Sequence, residues 1–115
     1  PDAYLPALAT SLQNLAISLG DVGRMTDGVA AIEEAVRYLR ALTEINPEIH
    51  LPALAMALNY LAISLGDVGR TAEGLVVIEE VVRIGRAPAQ ADPEHFHAIL
   101  RQSRRILAWL ESLPD

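Results

Sequence analysis

The sequence has no cysteine. That excludes a disulfide framework and any thiolate metal site, and it suits a reducing compartment, so a cytoplasmic location is expected. There is no lysine either. All nine basic residues are arginine, set against 15 acidic residues for a net charge of −6. Phosphate recognition needs a concentrated positive surface, and Arg104-Arg105 is the densest basic spot, so nucleic acid is not expected as a partner. Aromatics are few: one Trp, three Tyr and one Phe. The apolar mass is Ala, Leu, Ile and Val, which suits helix packing more than a sheet sandwich. No uninterrupted apolar run reaches the roughly 18 residues that a bilayer span requires, so no membrane partner is expected. The chain begins at Pro1 rather than Met. No signal peptide is visible, and a longer parent protein is expected.

What is present is a repeat. Leu15-Ala-Ile-Ser-Leu-Gly-Asp-Val-Gly-Arg24 recurs letter for letter as Leu61 to Arg70, an offset of 46 residues. Leu5-Pro-Ala-Leu-Ala9 recurs at Leu51 to Ala55, Glu33-Glu34 at Glu79-Glu80, and Asn46-Pro47 as Asp92-Pro93. Each unit reads as two helices. The first opens near Leu5-Pro6, where a proline loses no helical hydrogen bond. Leu8, Leu12, Leu15, Ala16 and Leu19 follow at spacings of three and four, which predicts one inward face. The glycines of Gly20-Asp-Val-Gly23 predict its end. A second helix is expected from Met25 to Ile45, with Val29, Ile32, Ala35, Val36 and Leu39 turned inward. Glu33 and Arg37 stand one turn apart, and a surface ion pair is expected there and again at Glu79 and Arg83. The second unit should run from Leu51 to about Arg86, cut short by Pro88. A last helix is expected from Glu94 to Leu113. Arg104 and Glu111 replace Leu58 and Leu65 in it, giving one polar face as a terminal cap requires.

These patterns resemble tetratricopeptide repeats. Leu12, Leu15, Ala16 and Leu19 match the family's first helix, Gly23-Arg24 its turn, and Gly28, Ile32 and Ala35 its second helix. Leu58, Leu61, Ala62, Leu65, Gly69-Arg70, Gly74, Ile78 and Val81 match again in the second unit. The family's commonest repeat is about 34 residues. The longer spacing here is similar to kinesin light chain and to arrays in bacterial multidomain signalling proteins. The resemblance implies an all-α fold: a right-handed α-solenoid of two helix-turn-helix repeats (1–46 and 47–92) plus a C-terminal capping helix (93–115), in one domain. It also implies a concave protein-binding surface along the first helices. The matching positions are Thr10, Gln13, Asn14 and Ile17, then Met56, Asn59, Tyr60 and Ile63, then Gln102, Arg105, Ile106 and Trp109. The amides of Gln13, Asn14 and Asn59 would bond a peptide backbone, and Met56, Tyr60, Ile63 and Trp109 would pack its side chains. The alternative for the same residues is contact with a neighbouring helix. One branch of the family grips carboxylate tails with Lys, Asn and Arg. Here those positions hold Gln13, Ile17, Tyr60, Gln102 and Ile106, so that specificity is not expected.

Other motifs give structural readings. Gly20-x-x-Gly23-Arg24 lacks the Lys-Ser/Thr of a phosphate loop and repeats as a turn. His95 and His97 would point about 200° apart on a helix, without an acidic partner in phase, so no metal is expected. No nucleophile, base and orienting group can be assembled, so no enzyme activity and no cofactor are expected. The expected function is a protein–protein interaction scaffold in a larger signalling or regulatory protein. The alternative is a self-association module, in which the same surface pairs with a second copy as a homodimer.

Overall fold

The computed structural model describes residues 4–85 and 93–114, with the backbone alone at residues 85, 93 and 95. These residues form five α-helices and, among the described residues, no strand: α1 Leu5–Asp21, α2 Met25–Ile45, α3 Pro47–Asp67, α4 Thr71–Gly85 and α5 Pro93–Ser112. The all-α expectation holds. The expected break at Pro88 and the unit boundary at residue 92 lie outside the described residues.

The repeated decapeptide produces the same turn twice. Gly23 and Gly69 take φ +82° and +85°, a left-handed conformation open to glycine without steric cost. The Arg24 amide donates to the Leu19 carbonyl at 2.7 Å and the Gly23 amide to Gly20 at 3.1 Å; Arg70 and Gly69 repeat both bonds. This pair satisfies carbonyls that a helix end would otherwise leave free, and it folds the chain back at once. Ala16 and Gly28 stand equally far on either side of Val22, and they meet. A Cβ on Gly28 would lie 3.0 Å from the Ala16 carbonyl oxygen, and one on Gly74 would lie 3.1 Å from that of Ala62. Each unit is therefore a tight antiparallel hairpin whose crossing point admits glycine alone without a shift.

Each helix packs on the next in sequence, and α5 also returns to α3. The core is continuous, from Val29, Ile32, Ala35 and Leu39 of α2, through Leu54, Leu58, Leu61 and Leu65 of α3 and Ile78 and Val81 of α4, to Phe96, Ile99, Ile106 and Leu110 of α5. Helix α3 is the hub. Ala62 faces α4, and Asn59 faces α5, where its amide donates to the Ile99 carbonyl at 3.3 Å and its oxygen accepts from Ser103 Oγ at 2.7 Å. Leu54, Ala57 and Leu61 lie on the stripe left for α2. This covered position explains a departure from expectation. By length and composition α3 is apolar enough to cross a membrane, with mean hydropathy 1.5 over an 18-residue window. Three helices pack on it, and 44% of that window is buried.

Three further expectations are corrected. Helix α3 starts at Pro47, not Leu51, which leaves Pro52 inside the helix. Its missing N–H would have reached the carbonyl of Glu48, in the first turn of the helix, where the residue is exposed. The pairs Glu33–Arg37 and Glu79–Arg83 do not form. Among the described residues the ion pairs are Arg24–Asp27, Arg70–Glu73 and Arg40–Glu80, the last joining α2 to α4 through a second bond of 2.8 Å. Leu8 and Leu15 are not core: they are 40% and 48% exposed, whereas their counterparts Leu54 and Leu61 are 4% and 6% exposed. No described helix covers that side of α1. On α5 the corresponding open side is polar, with Arg101, Arg104 and Glu111 exposed.

Candidate binding groove

Helices α1, α3 and α5 carry the stripe singled out in the sequence, and seven of its side chains line one cavity of about 220 Å³. Gln13, Asn14 and Ile17 come from α1, Met56, Tyr60 and Ile63 from α3, and Gln102 from α5. Positions related by the repeat stand side by side because each first helix presents the same face. Its lining mixes apolar side chains (Ile17, Met56, Tyr60, Ile63) with three side-chain amides (Gln13, Asn14, Gln102). Ile17 and Met56 are 42% and 48% exposed, well above what a core residue shows. Grouped in a concavity, these side chains leave apolar surface open to water.

The remaining stripe positions lie elsewhere. Asn59 is buried and its amide is taken up by Ile99 and Ser103, so it cannot bond a peptide; it is a contact between neighbouring helices. Ile106 is also buried. Trp109 is half-buried over α3, so close that a Cβ on Gly66 would come within 2.7 Å of its ring. Thr10 is exposed, and its hydroxyl bonds the Pro6 carbonyl at 3.1 Å. Arg105 is exposed and lines no described cavity.

A second cavity of about 170 Å³ continues the first, sharing Ile17 and Tyr60. Asp21 and Asp67 line it, with Met25, Ser64 and Gly20. The sequence reading missed these carboxylates because Asp21 was absorbed into the turn. The signal was available: Asp21 and Asp67 stand one helical turn beyond Ile17 and Ile63, on the same stripe. Burial raises the Asp67 carboxyl above its usual range. The Tyr60 hydroxyl is pushed up, first by burial and then by the charges of Asp21 and Asp67. Among the described residues neither carboxylate forms an ion pair.

No group of three or more His, Asp or Glu side chains suited to a metal occurs among the described residues. The side chain of His95 lies outside them, and His97 is exposed. No family model, curated protein or solved structure matches the chain.

Proposed function

We propose that the chain is a tetratricopeptide-type array, a right-handed α-solenoid of two helix-turn-helix repeats closed by α5. Its first helices hold a peptide or protein segment for a larger signalling or regulatory protein. The observation that carries this reading is the cavity shared by α1, α3 and α5, in which repeat-related positions converge with apolar side chains and amides together. The amides suit a peptide backbone, which offers a donor and an acceptor at every residue. The apolar part of the lining suits one or two apolar side chains. A photo-crosslinking residue at Met56 should capture a protein from the host extract that the same residue at Arg37, exposed on α2, does not. Equal capture at both positions would overturn the reading.

A second reading is supported by a different surface. Leu8 and Leu15 are open although the identical residues of α3 are covered, so a second copy pairing over α1 would bury them in a homodimer. Light scattering across a thousandfold dilution distinguishes the two. A dimer that Leu15→Glu converts to a monomer supports self-association, and a monomer throughout removes it.

A further inference from the structure

We infer that the groove is selective for a basic segment: a peptide whose arginine or lysine side chain enters between Asp21 and Asp67 while an adjacent apolar side chain lies over Ile17, Met56 and Ile63. This rests on the groove reading above and specifies its ligand.

The argument is charge complementarity in a place where charge is poorly compensated. Asp21 and Asp67 are the last residues of α1 and α3, and both line the second cavity. A helix C-terminus carries partial negative charge, so two helix ends and two carboxylates add their fields in one concavity. Among the described residues no cation is paired with either carboxylate. The arginines next along the chain are Arg24 and Arg70, and each is held three residues onward, by Asp27 at 2.9 Å and by Glu73. That geometry ties both guanidinium groups to the start of α2 and α4. Asp67 is exposed, yet partial burial still disfavours its ionised form, and among the described residues no cation pairs with it. A cationic side chain from a partner would. Its alkyl stem would run along Tyr60, which lines both cavities, and so connect the charged end to the apolar lining. The alternative occupants are weaker fits. An acidic segment would meet two carboxylates, and a purely apolar one would leave them desolvated without a partner.

A displayed library of random decapeptides, selected on the whole chain, tests this. The enriched sequences should carry Arg or Lys at a fixed spacing from an apolar residue. A synthetic peptide of that sequence should bind at least tenfold more tightly than the same peptide with citrulline, the uncharged isostere of arginine. The double variant D21N/D67N, shown by circular dichroism to keep its helices, should lose that preference and still bind the apolar part. Two results separate the inference from the reading beneath it. Enriched peptides without a basic residue, whose binding Met56→Glu abolishes, overturn the inference and leave the groove standing. Basic peptides that bind equally to Met56→Glu overturn the groove as the docking surface, and with it the inference as stated. No enrichment over a blank support overturns both.

Discussion

Ten consecutive residues occur twice in this chain, and their two copies differ only in what surrounds them. Leu15–Arg24 and Leu61–Arg70 have the same helix end, the same left-handed glycine and the same pair of capping bonds, to within 0.1 Å. Yet Leu15 is about half exposed and Leu61 is buried. Gly20 has nothing near it, while Gly66 lies under Trp109. Local structure follows from the letters. Burial follows from neighbours, here from α2 and α5, which flank the second copy and not the open side of the first.

The largest effect this contrast predicts is at the leucines. Leu61→Ala removes a buried side chain and leaves a cavity, and should cost about 2–5 kcal/mol in chemical denaturation. Leu15→Ala should cost under about 1 kcal/mol, since its side chain is already half in water. Equal losses would mean that the α1 face is covered in solution, which favours the homodimer reading. The glycines should differ in sign. Gly20→Ala lies within a helix with open space around it and should stabilise by about 0.5–1 kcal/mol. Gly66→Ala would place a methyl 2.7 Å from the Trp109 ring and 2.8 Å from Leu110 Cδ2. Overpacking of that kind costs about 1–3 kcal/mol. Trp109 reports it directly, because its emission should shift red as the ring is displaced. Stabilisation by both alanines would show that α5 does not pack on α3 as described.

The same contrast explains what could be read from the letters. Helix α2 was legible to the residue, because apolar spacing, a preceding glycine turn and a following Asn-Pro all agreed. The hairpin turns were legible because glycine chemistry is local. The exposure of Leu8 and Leu15 is not written in their spacing, which α1 and α3 share; it depends on what packs beside α1. Asn59 failed similarly. It shares a stripe with Met56 and Ile63, and nothing in the sequence says that Ser103 will meet it. The ion pairs were missed because Glu80 finds Arg40 on another helix, forty positions away, in preference to Arg83 on its own. Of the residues that line the first cavity, all seven stand at positions that the resemblance pointed to; Asp21 and Asp67 of the second were hidden inside a motif read as a turn.

Arg40–Glu80 gives a smaller, pH-dependent test. The Arg40 guanidinium holds the Glu80 carboxyl below its usual range, while Glu34, its counterpart one repeat earlier, takes only the Tyr38 hydroxyl at 2.9 Å. A depressed carboxyl stabilises the fold at pH above its unfolded value and stops doing so as pH falls through its folded one. Stability should therefore drop below about pH 4.5, and Glu80→Gln should flatten that part of the profile. The pair is half exposed, so about 0.5–1 kcal/mol is expected at neutral pH. Glu34→Gln should cost less. An unchanged acid limb in Glu80→Gln would show that the pair carries no stability.

The smallest expected effect has the opposite sign and bears on the groove. Asp67 and Asp21 both end a helix, where the macrodipole opposes negative charge, and Asp67 is in addition pushed up by burial. A carboxyl raised in the fold binds its proton more tightly there than in the unfolded chain. Its protonation therefore favours folding at low pH, and that advantage is lost as pH rises through the folded value. At neutral pH the ionised Asp67 works against the fold. Asp67→Asn should accordingly raise the melting temperature at pH 7 by the equivalent of about 0.3–1 kcal/mol. The gain should shrink toward zero as pH falls and the wild-type carboxyl takes up its proton. Asp21→Asn, with the helix end alone to relieve, should gain less. Among the described residues neither substitution removes an ion pair, so no compensating loss is expected. A drop in melting temperature for Asp67→Asn at neutral pH would mean that the carboxylate already has a stabilising partner within the chain. In that case the acidic end of the groove is satisfied internally and has no need of a cation from outside.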